Sequence, residues 1–186
     1  MKYKMPVKSD LRSRTSTISN AFTISITPYI KPSQKEIEEL LVKLDIEDGQ
    51  CAYCLRTANS TDHFRPLVKD GLPNGYITDI HNLVPCCFDC NSSKGKKDWD
   101  DWYLSDKNKT RLLQLGLTEE TIQHRYDILE EFALETERER IDYQSILGQE
   151  QWEEFIRRKK RLNHLLNEEQ RFCDELRIKI EKHINK

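Results

Sequence analysis

The chain has 186 residues, of which 33% are charged, and a formal net charge of -2 at pH 7. This length allows one domain or a small core with an appendage, and the nearly balanced charge excludes attraction of a polyanion to the whole surface. No apolar run approaches membrane length, and the N-terminus lacks the apolar stretch of a signal peptide. The six cysteines then favour metal binding in a reducing compartment over disulfides. We expect a cytoplasmic protein that does not contact membranes.

Residues 1–48 are predicted to form a basic arm, a strand and a helix. Residues 1–15 carry basic side chains against the one acid Asp10, which suits either a frayed terminus or an arm that contacts DNA. The β-branched stretch at 17–27 predicts a strand. Ser33 and Glu36 form a capping-box motif before an apolar helical stripe, which predicts a helix ending near residue 48. The basic residues of the arm are Lys2, Lys4, Lys8, Arg12 and Arg14.

Two Cys-x-x-Cys pairs, here called the knuckles, predict a zinc site. Cys51 and Cys54 form the first knuckle, and Cys87 and Cys90 form the second. A two-residue spacer lets both thiolates of a pair reach one tetrahedral Zn²⁺, and four thiolates leave no open position for water. The zinc is therefore expected to be structural, and a folded segment must lie between the knuckles. Cys86, next to a ligand, is expected to be a packed bystander.

The segment between and after the knuckles contains three further motifs. They read "DHFRP" at 62–66, "NLVP" at 82–85 and "CFDCNSSKG" at 87–95. Together with the first knuckle, they resemble the HNH endonuclease family over about residues 51–97. The resemblance implies a ββα-metal fold, in which a helix crosses a β-hairpin above the zinc.

The resemblance and the chemistry of the residues together indicate a catalytic centre. His63 can take a proton from water near neutral pH, which makes it the expected general base. Asp62 and Asn91 offer hard oxygen ligands for a catalytic Mg²⁺ or Mn²⁺. The resemblance implies that many relatives carry histidine at this position. Asn91 is a common variant, and its amide oxygen weakens the case for a softer metal such as nickel or zinc there. By family analogy, Asn82 bonds to backbone in the hairpin loop and thereby orients His63.

Basic residues near this centre are candidates for contact with nucleic acid. Lys94 lies within the motif and is expected to bind phosphate. Lys96 and Lys97 extend the positive patch along the chain, and Arg65 joins it from the strand side. His81, which precedes Asn82, is expected to have a structural or supporting role and not to be the base.

Residues beyond 103 are predicted to be mostly helical. Gly116 suits a helix stop, Thr118 suits the cap of the next helix, and the expected long helices span 118–146 and 149–184. Cys173 lies on the apolar stripe of the last helix and is expected in a core. The basic run at 157–161 suits either phosphate contact or a solvated helix face.

These expectations define an α+β protein with three parts. An N-terminal arm, strand and helix occupy 1–48, the ββα-metal core with its four-cysteine zinc occupies 49–103, and a helical region for dimerisation, partner docking or target recognition occupies 104–186. The leading hypothesis is a metal-dependent endonuclease that cuts DNA in restriction or anti-phage defence. A homodimer would supply the two active sites that duplex cleavage needs.

Two alternatives remain from the sequence. The chain would be the nuclease subunit of a defence complex with an ATPase partner, which the acidic balance of the C-terminal half mildly favours. Alternatively, it would be a non-catalytic zinc module that binds nucleic acid and has no need of His63 together with Asp62.

Overall fold

The structure is a computed structural model that describes residues 5–6 and 8–184. Its contacts divide the chain into two units, one joining Met1–Ile26 to Asp142–Lys186 and the other formed by Thr27–Ile141. The sequence-based boundaries after residues 48 and 103 both fall inside the second unit. Lys2 and Lys4 of the basic arm lie outside the described residues.

The structure is mixed α/β and mostly helical toward its C-terminus, as the sequence predicted. The helices are α1 (Thr15–Ile24), α2 (Gln34–Lys43), α3 (Phe88–Lys94), α4 (Trp99–Tyr103), α5 (Asp106–Gln114), α6 (Glu119–Glu135) and α7 (Tyr143–Ile184). The strands are β1 (Ser60–His63), β2 (Val68–Lys69), β3 (Leu72–Pro73) and β4 (Leu83–Cys86). No helix in the described part of the chain is long and apolar enough to cross a membrane.

In the first unit, helix α1 occupies the segment that was predicted to be a strand. The prediction was wrong because β-propensity gave way to packing on a neighbouring helix. The Phe22 ring stacks on the Phe155 ring of α7 with centroids 5.1 Å apart, and Ser19 and Thr23, one turn apart on α1, are buried. Phe22 and Thr23 lie three and four positions after Ser19, so these residues share one face of a helix, whereas the two-residue repeat of a strand would not bring them together.

Helix α7 contains a break and an exposed apolar stripe. Gly148 has φ 75° and interrupts the helix, so the regular helix begins after it, as predicted. Beyond residue 164 the stripe expected to form a core is exposed. Cys173 is exposed with it, which corrects the expectation of a buried thiol. The exposed apolar residues of this stripe are Leu165, Phe172, Leu176, Ile180 and Ile184.

In the second unit, the ββα arrangement is present. Strands β1 and β4 pair antiparallel, with Asp62 opposite Val84 and His63 opposite Leu83. The connection between them contains the short β2–β3 hairpin, which turns at 70–71. Helix α3 follows β4 directly and packs against β1. Upstream of these strands, the predicted capping box of α2 is confirmed, with Ser33 and Glu36 bonding reciprocally.

The core of this unit extends well beyond the two strands and α3. The Phe64 ring lies 4.9 Å from Trp99 of α4 and 5.1 Å from Phe132 of α6. Arg125 of α6 is 2% exposed, and its guanidinium donates to the carbonyls of Ala52 and Leu44. Helix α6 thereby holds the first knuckle through buried hydrogen bonds.

Helix α6 ends at Glu135, so the predicted helix over 118–146 was too long. The predicted cap at Thr118 is confirmed. At the other end, the guanidinium of Arg65 donates to the Ala133 carbonyl and to Thr136 Oγ1. A cation that satisfies the last carbonyls stabilises the end of a helix. The sequence alone could not predict where α6 ends, because Arg65, which caps it, lies about 70 positions earlier in the chain.

Candidate metal centre and active site

The four knuckle cysteines converge in one buried cluster. Their Sγ atoms all lie within 4.8 Å of one another. Cys51, Cys54 and Cys90 are at most 1% exposed and Cys87 is 5% exposed. Four thiolates at this spacing are the donor set of a tetrahedral structural Zn²⁺, so the chemistry and geometry of the cluster fit the predicted zinc site.

Backbone contacts explain how the two knuckles come together. The Ala52 N–H, inside the first knuckle, donates to the Pro85 carbonyl of β4 at 2.8 Å. Strand β4 then leads straight into the second knuckle. There, Cys87 is the N-cap of α3, and its Sγ accepts a hydrogen bond from the Cys90 N–H at 3.4 Å. The helix start and the metal cluster are therefore built from the same residues.

Two arginines lie against the thiolates. Arg111 Nη2 of α5 lies 3.2 Å from Cys90 Sγ and 2.8 Å from Asn108 Oδ1, which orients it. Arg56 Nη2 lies 3.8 Å from Cys87 Sγ. A zinc bound by four thiolates is negatively charged, and nearby guanidinium groups offset that charge. Arg111 belongs to a helix that sequence reasoning treated only as part of a docking region.

Cys86 is fully buried at the end of β4, as expected of a bystander. Burial raises the pKa of its thiol to about 12. The side chain therefore stays neutral at physiological pH and acts as a small apolar group.

Strand β1 and helix α3 pack against each other through polar side chains. Ser60 and Asp62 lie two apart on the strand and therefore share one face. Asn91 Nδ2 donates to Ser60 Oγ at 2.9 Å and to the Thr61 carbonyl at 3.3 Å. Lys94, one turn further along α3, lies 2.9 Å from Asp62 Oδ2. Asn91 and Lys94 of α3 thus contact Ser60 and Asp62, which are neighbours on the same face of β1.

The Asp62 carboxylate is buried and held through one of its oxygens. The Tyr53 hydroxyl donates to Oδ2 at 2.7 Å, and the Lys94 ammonium contacts the same atom. Burial raises the pKa of Tyr53 well above its usual range, so the phenol stays protonated and remains a donor. Within the described part of the chain, no hydrogen bond reaches Oδ1 of Asp62, which leaves this oxygen for another partner.

The oxygen donors at this contact between β1 and α3 suit a hard divalent cation. The Asn91 amide nitrogen is used by β1, so its oxygen is directed away from those bonds. One carboxylate oxygen of Asp62 and one amide oxygen of Asn91 are ligands of the kind that Mg²⁺ and Mn²⁺ prefer. Any such ion would share Asp62 with the ammonium of Lys94, which weakens its binding by charge repulsion.

Two predicted phosphate contacts are contradicted by their burial. Lys94 is 1% exposed, and its ammonium also donates to the His63 carbonyl at 2.8 Å. Arg65 is 6% exposed and caps α6, with Glu137 3.2 Å away. Both cations are committed to internal partners and do not reach the surface where a phosphate would lie. Lys96 and Lys97 are exposed.

His63 ends β1 as a half-buried side chain. Its Nε2 lies 2.9 Å from Thr78 Oγ1. Burial lowers the pKa of the imidazole below its usual value, the nearby Asp62 raises it, and the Lys94 ammonium lowers it again. Since burial is the largest of these effects, the ring is mainly neutral at pH 7, as a general base must be.

Asn82 joins both ends of the long connection between β1 and β4. Its Oδ1 accepts from the Arg65 N–H at 2.7 Å. Its Nδ2 donates to the Arg65 carbonyl and to the Ile77 carbonyl, each at 3.1 Å. These are backbone contacts of the kind expected for this residue, and its effect on His63 stays a prediction.

His81 lies beside Asn82 but makes separate contacts. Its ring contacts the guanidinium of Arg138, and its N–H donates to Asp79 Oδ1 at 3.1 Å. These contacts are compatible with the supporting role expected for this side chain.

Comparison with protein families identifies the domain. Residues 51–97, about a quarter of the chain, match the HNH endonuclease family model. The chain therefore carries an HNH endonuclease domain, the class to which its ββα core and four-cysteine cluster belong, and this domain suggests a nuclease. No curated protein and no solved structure matches the chain.

Sequence reasoning missed three residues that contact the site. Tyr53 was counted only as a spacer within the first knuckle, Thr78 lies in a connection without a motif, and Arg111 appeared only as part of a helix. Each reaches its partner through tertiary folding, so no local pattern distinguishes it. A polar aromatic residue inside a metal knuckle is the one signal that could have drawn attention to Tyr53.

Proposed function

We propose that this chain is a metal-dependent HNH endonuclease that hydrolyses phosphodiester bonds of DNA, in restriction or anti-phage defence. The observation that carries the proposal is the polar contact between β1 and α3. There Asn91 and Lys94 of α3 bond to β1, the strand that carries Asp62 and His63, and α3 itself begins at the four-cysteine cluster. A module that only bound nucleic acid would not require this combination.

In the proposed reaction, His63 acts as the general base. It accepts a proton from a water molecule whose oxygen forms a bond to the phosphorus. The bond from phosphorus to the 3′ oxygen then breaks, and the departing oxygen takes a proton from solvent. The lowered pKa of the imidazole supports this role because the neutral form is present at pH 7.

Asp62 and Asn91 are proposed to hold the catalytic Mg²⁺ or Mn²⁺. When bound, that ion would supply positive charge against the phosphorane and the departing oxygen. Lys96 and Lys97 follow α3 as exposed cations and are proposed to contact backbone phosphates. Lys94 and Arg65 are no longer proposed for that role.

The exposed stripe of α7 supports docking to another protein. Leu165, Phe172 and Ile180 are all about half exposed or more, which is unusual for large apolar side chains on one helix. A homodimer through this stripe would supply two active sites for a duplex. A nuclease subunit bound to an ATPase partner through the same stripe is the second arrangement that we propose.

Nicking of supercoiled plasmid by the zinc-loaded chain tests the proposal. We expect conversion to open circles or linear DNA with Mg²⁺ or Mn²⁺ and no conversion without added metal. Sequencing the new ends would then give the target preference and the cut geometry. A chain that binds DNA but never cuts it, alone or with its defence partner, would instead be a non-catalytic zinc module.

A further inference from the structure

The hydroxyl of Thr78 is directed at the imidazole of His63. The distance from Thr78 Oγ1 to His63 Nε2 is 2.9 Å. Thr78 belongs to the connection that leads into β4 and is 8% exposed, so solvent does not compete freely for this hydroxyl. Within residues 5–6 and 8–184, no other hydrogen bond to the His63 ring is present.

Thr78 is itself held by an extended segment that lies outside the matched residues 51–97. Its N–H donates to the Pro28 carbonyl at 3.1 Å, and its carbonyl accepts from the Ile30 N–H at 2.8 Å. The preceding residue is fixed as well, because the Ile77 carbonyl accepts from Asn82 Nδ2. The hydroxyl is therefore presented to His63 from a backbone that is bonded on both sides.

A neutral imidazole has one N–H and one nitrogen lone pair, and its hydrogen-bond partners decide which nitrogen carries which. A hydroxyl that accepts from Nε2–H leaves the lone pair on Nδ1. We propose that Thr78 is a positioning residue for His63: its hydroxyl oxygen accepts a hydrogen bond from Nε2–H and so keeps Nδ1 as the nitrogen that receives a proton from water. The catalytic part of this inference rests on the proposed endonuclease function, whereas the tautomer does not.

The contact can be tested on the tautomer of His63 directly. The experiment uses the full zinc-loaded chain labelled with ¹⁵N-histidine, at a pH where the imidazole is neutral. Long-range proton–nitrogen spectra separate protonated from unprotonated ring nitrogens, and a His63→Gln sample identifies the signals among the five histidines. We expect protonated Nε2 and unprotonated Nδ1 in the wild type.

Two substitutions of Thr78 distinguish an effect of its hydroxyl from an effect on the fold. Thr78→Val keeps the shape and both backbone bonds, and we expect it to give a mixture of His63 tautomers. Thr78→Ser keeps the hydroxyl and should restore the wild-type spectrum. Wild-type protein protonated on Nδ1, a wild-type tautomer in Thr78→Val, or failure of Thr78→Ser to restore it would each overturn the inference.

Cleavage gives a second readout. We expect kcat for plasmid nicking to fall about tenfold in Thr78→Val with KM unchanged, and to recover in Thr78→Ser. A loss of rate without a change of tautomer would assign Thr78 a purely structural role. If the wild-type chain cuts no DNA, the proposed function fails, while the spectra still decide whether Thr78 sets the tautomer.

Discussion

The ammonium of Lys94 lies 2.9 Å from Oδ2 of Asp62, with both side chains buried. From the sequence, one was expected to hold a metal and the other to meet a phosphate. In the structure they form an internal ion pair that joins α3 to β1. The pair uses one oxygen of the Asp62 carboxylate, as does the Tyr53 hydroxyl.

Replacing Lys94 with methionine should destabilise the protein. Removing one partner of a buried ion pair leaves the other charge without compensation, which typically costs about 3–5 kcal/mol. We expect Lys94→Met to lower the free energy of unfolding by about 3 kcal/mol, because Tyr53 still donates to Asp62. Urea unfolding of the zinc-loaded chain, followed by tryptophan fluorescence, measures this change.

Lys96→Met is the matched control for that variant. Lys96 lies just beyond the same helix and is exposed, so the change should alter the free energy of unfolding by about 0.5 kcal/mol or less. If the two variants unfold alike, the buried pair does not contribute as the geometry indicates.

Replacing Asn91 with alanine should weaken the catalytic metal site and leave the zinc in place. The substitution removes one of the two proposed oxygen ligands, and we expect Mn²⁺ to bind on the order of 10–100-fold more weakly. Paramagnetic resonance of free Mn²⁺ gives the dissociation constant, and elemental analysis checks that about one zinc remains per chain.

Ser92→Ala, at the exposed neighbouring position of α3, should bind Mn²⁺ as the wild type does. Equal Mn²⁺ affinity in Asn91→Ala and Ser92→Ala would remove Asn91 from the metal site.

Replacing Arg111 with methionine should loosen the structural zinc. The guanidinium lies 3.2 Å from Cys90 Sγ and offsets the negative charge of the four thiolates. Without it, we expect transfer of zinc to a coloured chelator to be about tenfold faster. Lys109→Met, an exposed change on the same helix, should release zinc at the wild-type rate. Identical release from both variants would mean that Arg111 does not stabilise the cluster.

The zinc site and the ββα core were predictable because their signals are local. The two-residue spacer within each knuckle identifies the metal ligands, and the short motifs identify the residues of the core. Tertiary contacts then bring these residues together. The same holds for the cap at Ser33, whose partner Glu36 lies three positions away.

The burial of Lys94 and Arg65 was not predictable, because their partners come from distant parts of the chain. Lys94 meets Asp62, 32 positions earlier, and Arg65 meets the end of α6. A single sequence presents both cations as solvent-exposed candidates for phosphate. Helix α1 was missed for a related reason, since packing of Phe22 on Phe155 decides its conformation.

Cleavage by His63→Ala tests the central claim most directly. Rates of plasmid nicking would be measured for wild type, His63→Ala and the control His124→Ala, whose imidazole is 65% exposed on α6. Loss of the general base should reduce the rate by about 100-fold or more, while His124→Ala should cut like the wild type. A His63→Ala protein that retains its zinc and cuts at the wild-type rate would contradict the assignment of His63 as the general base.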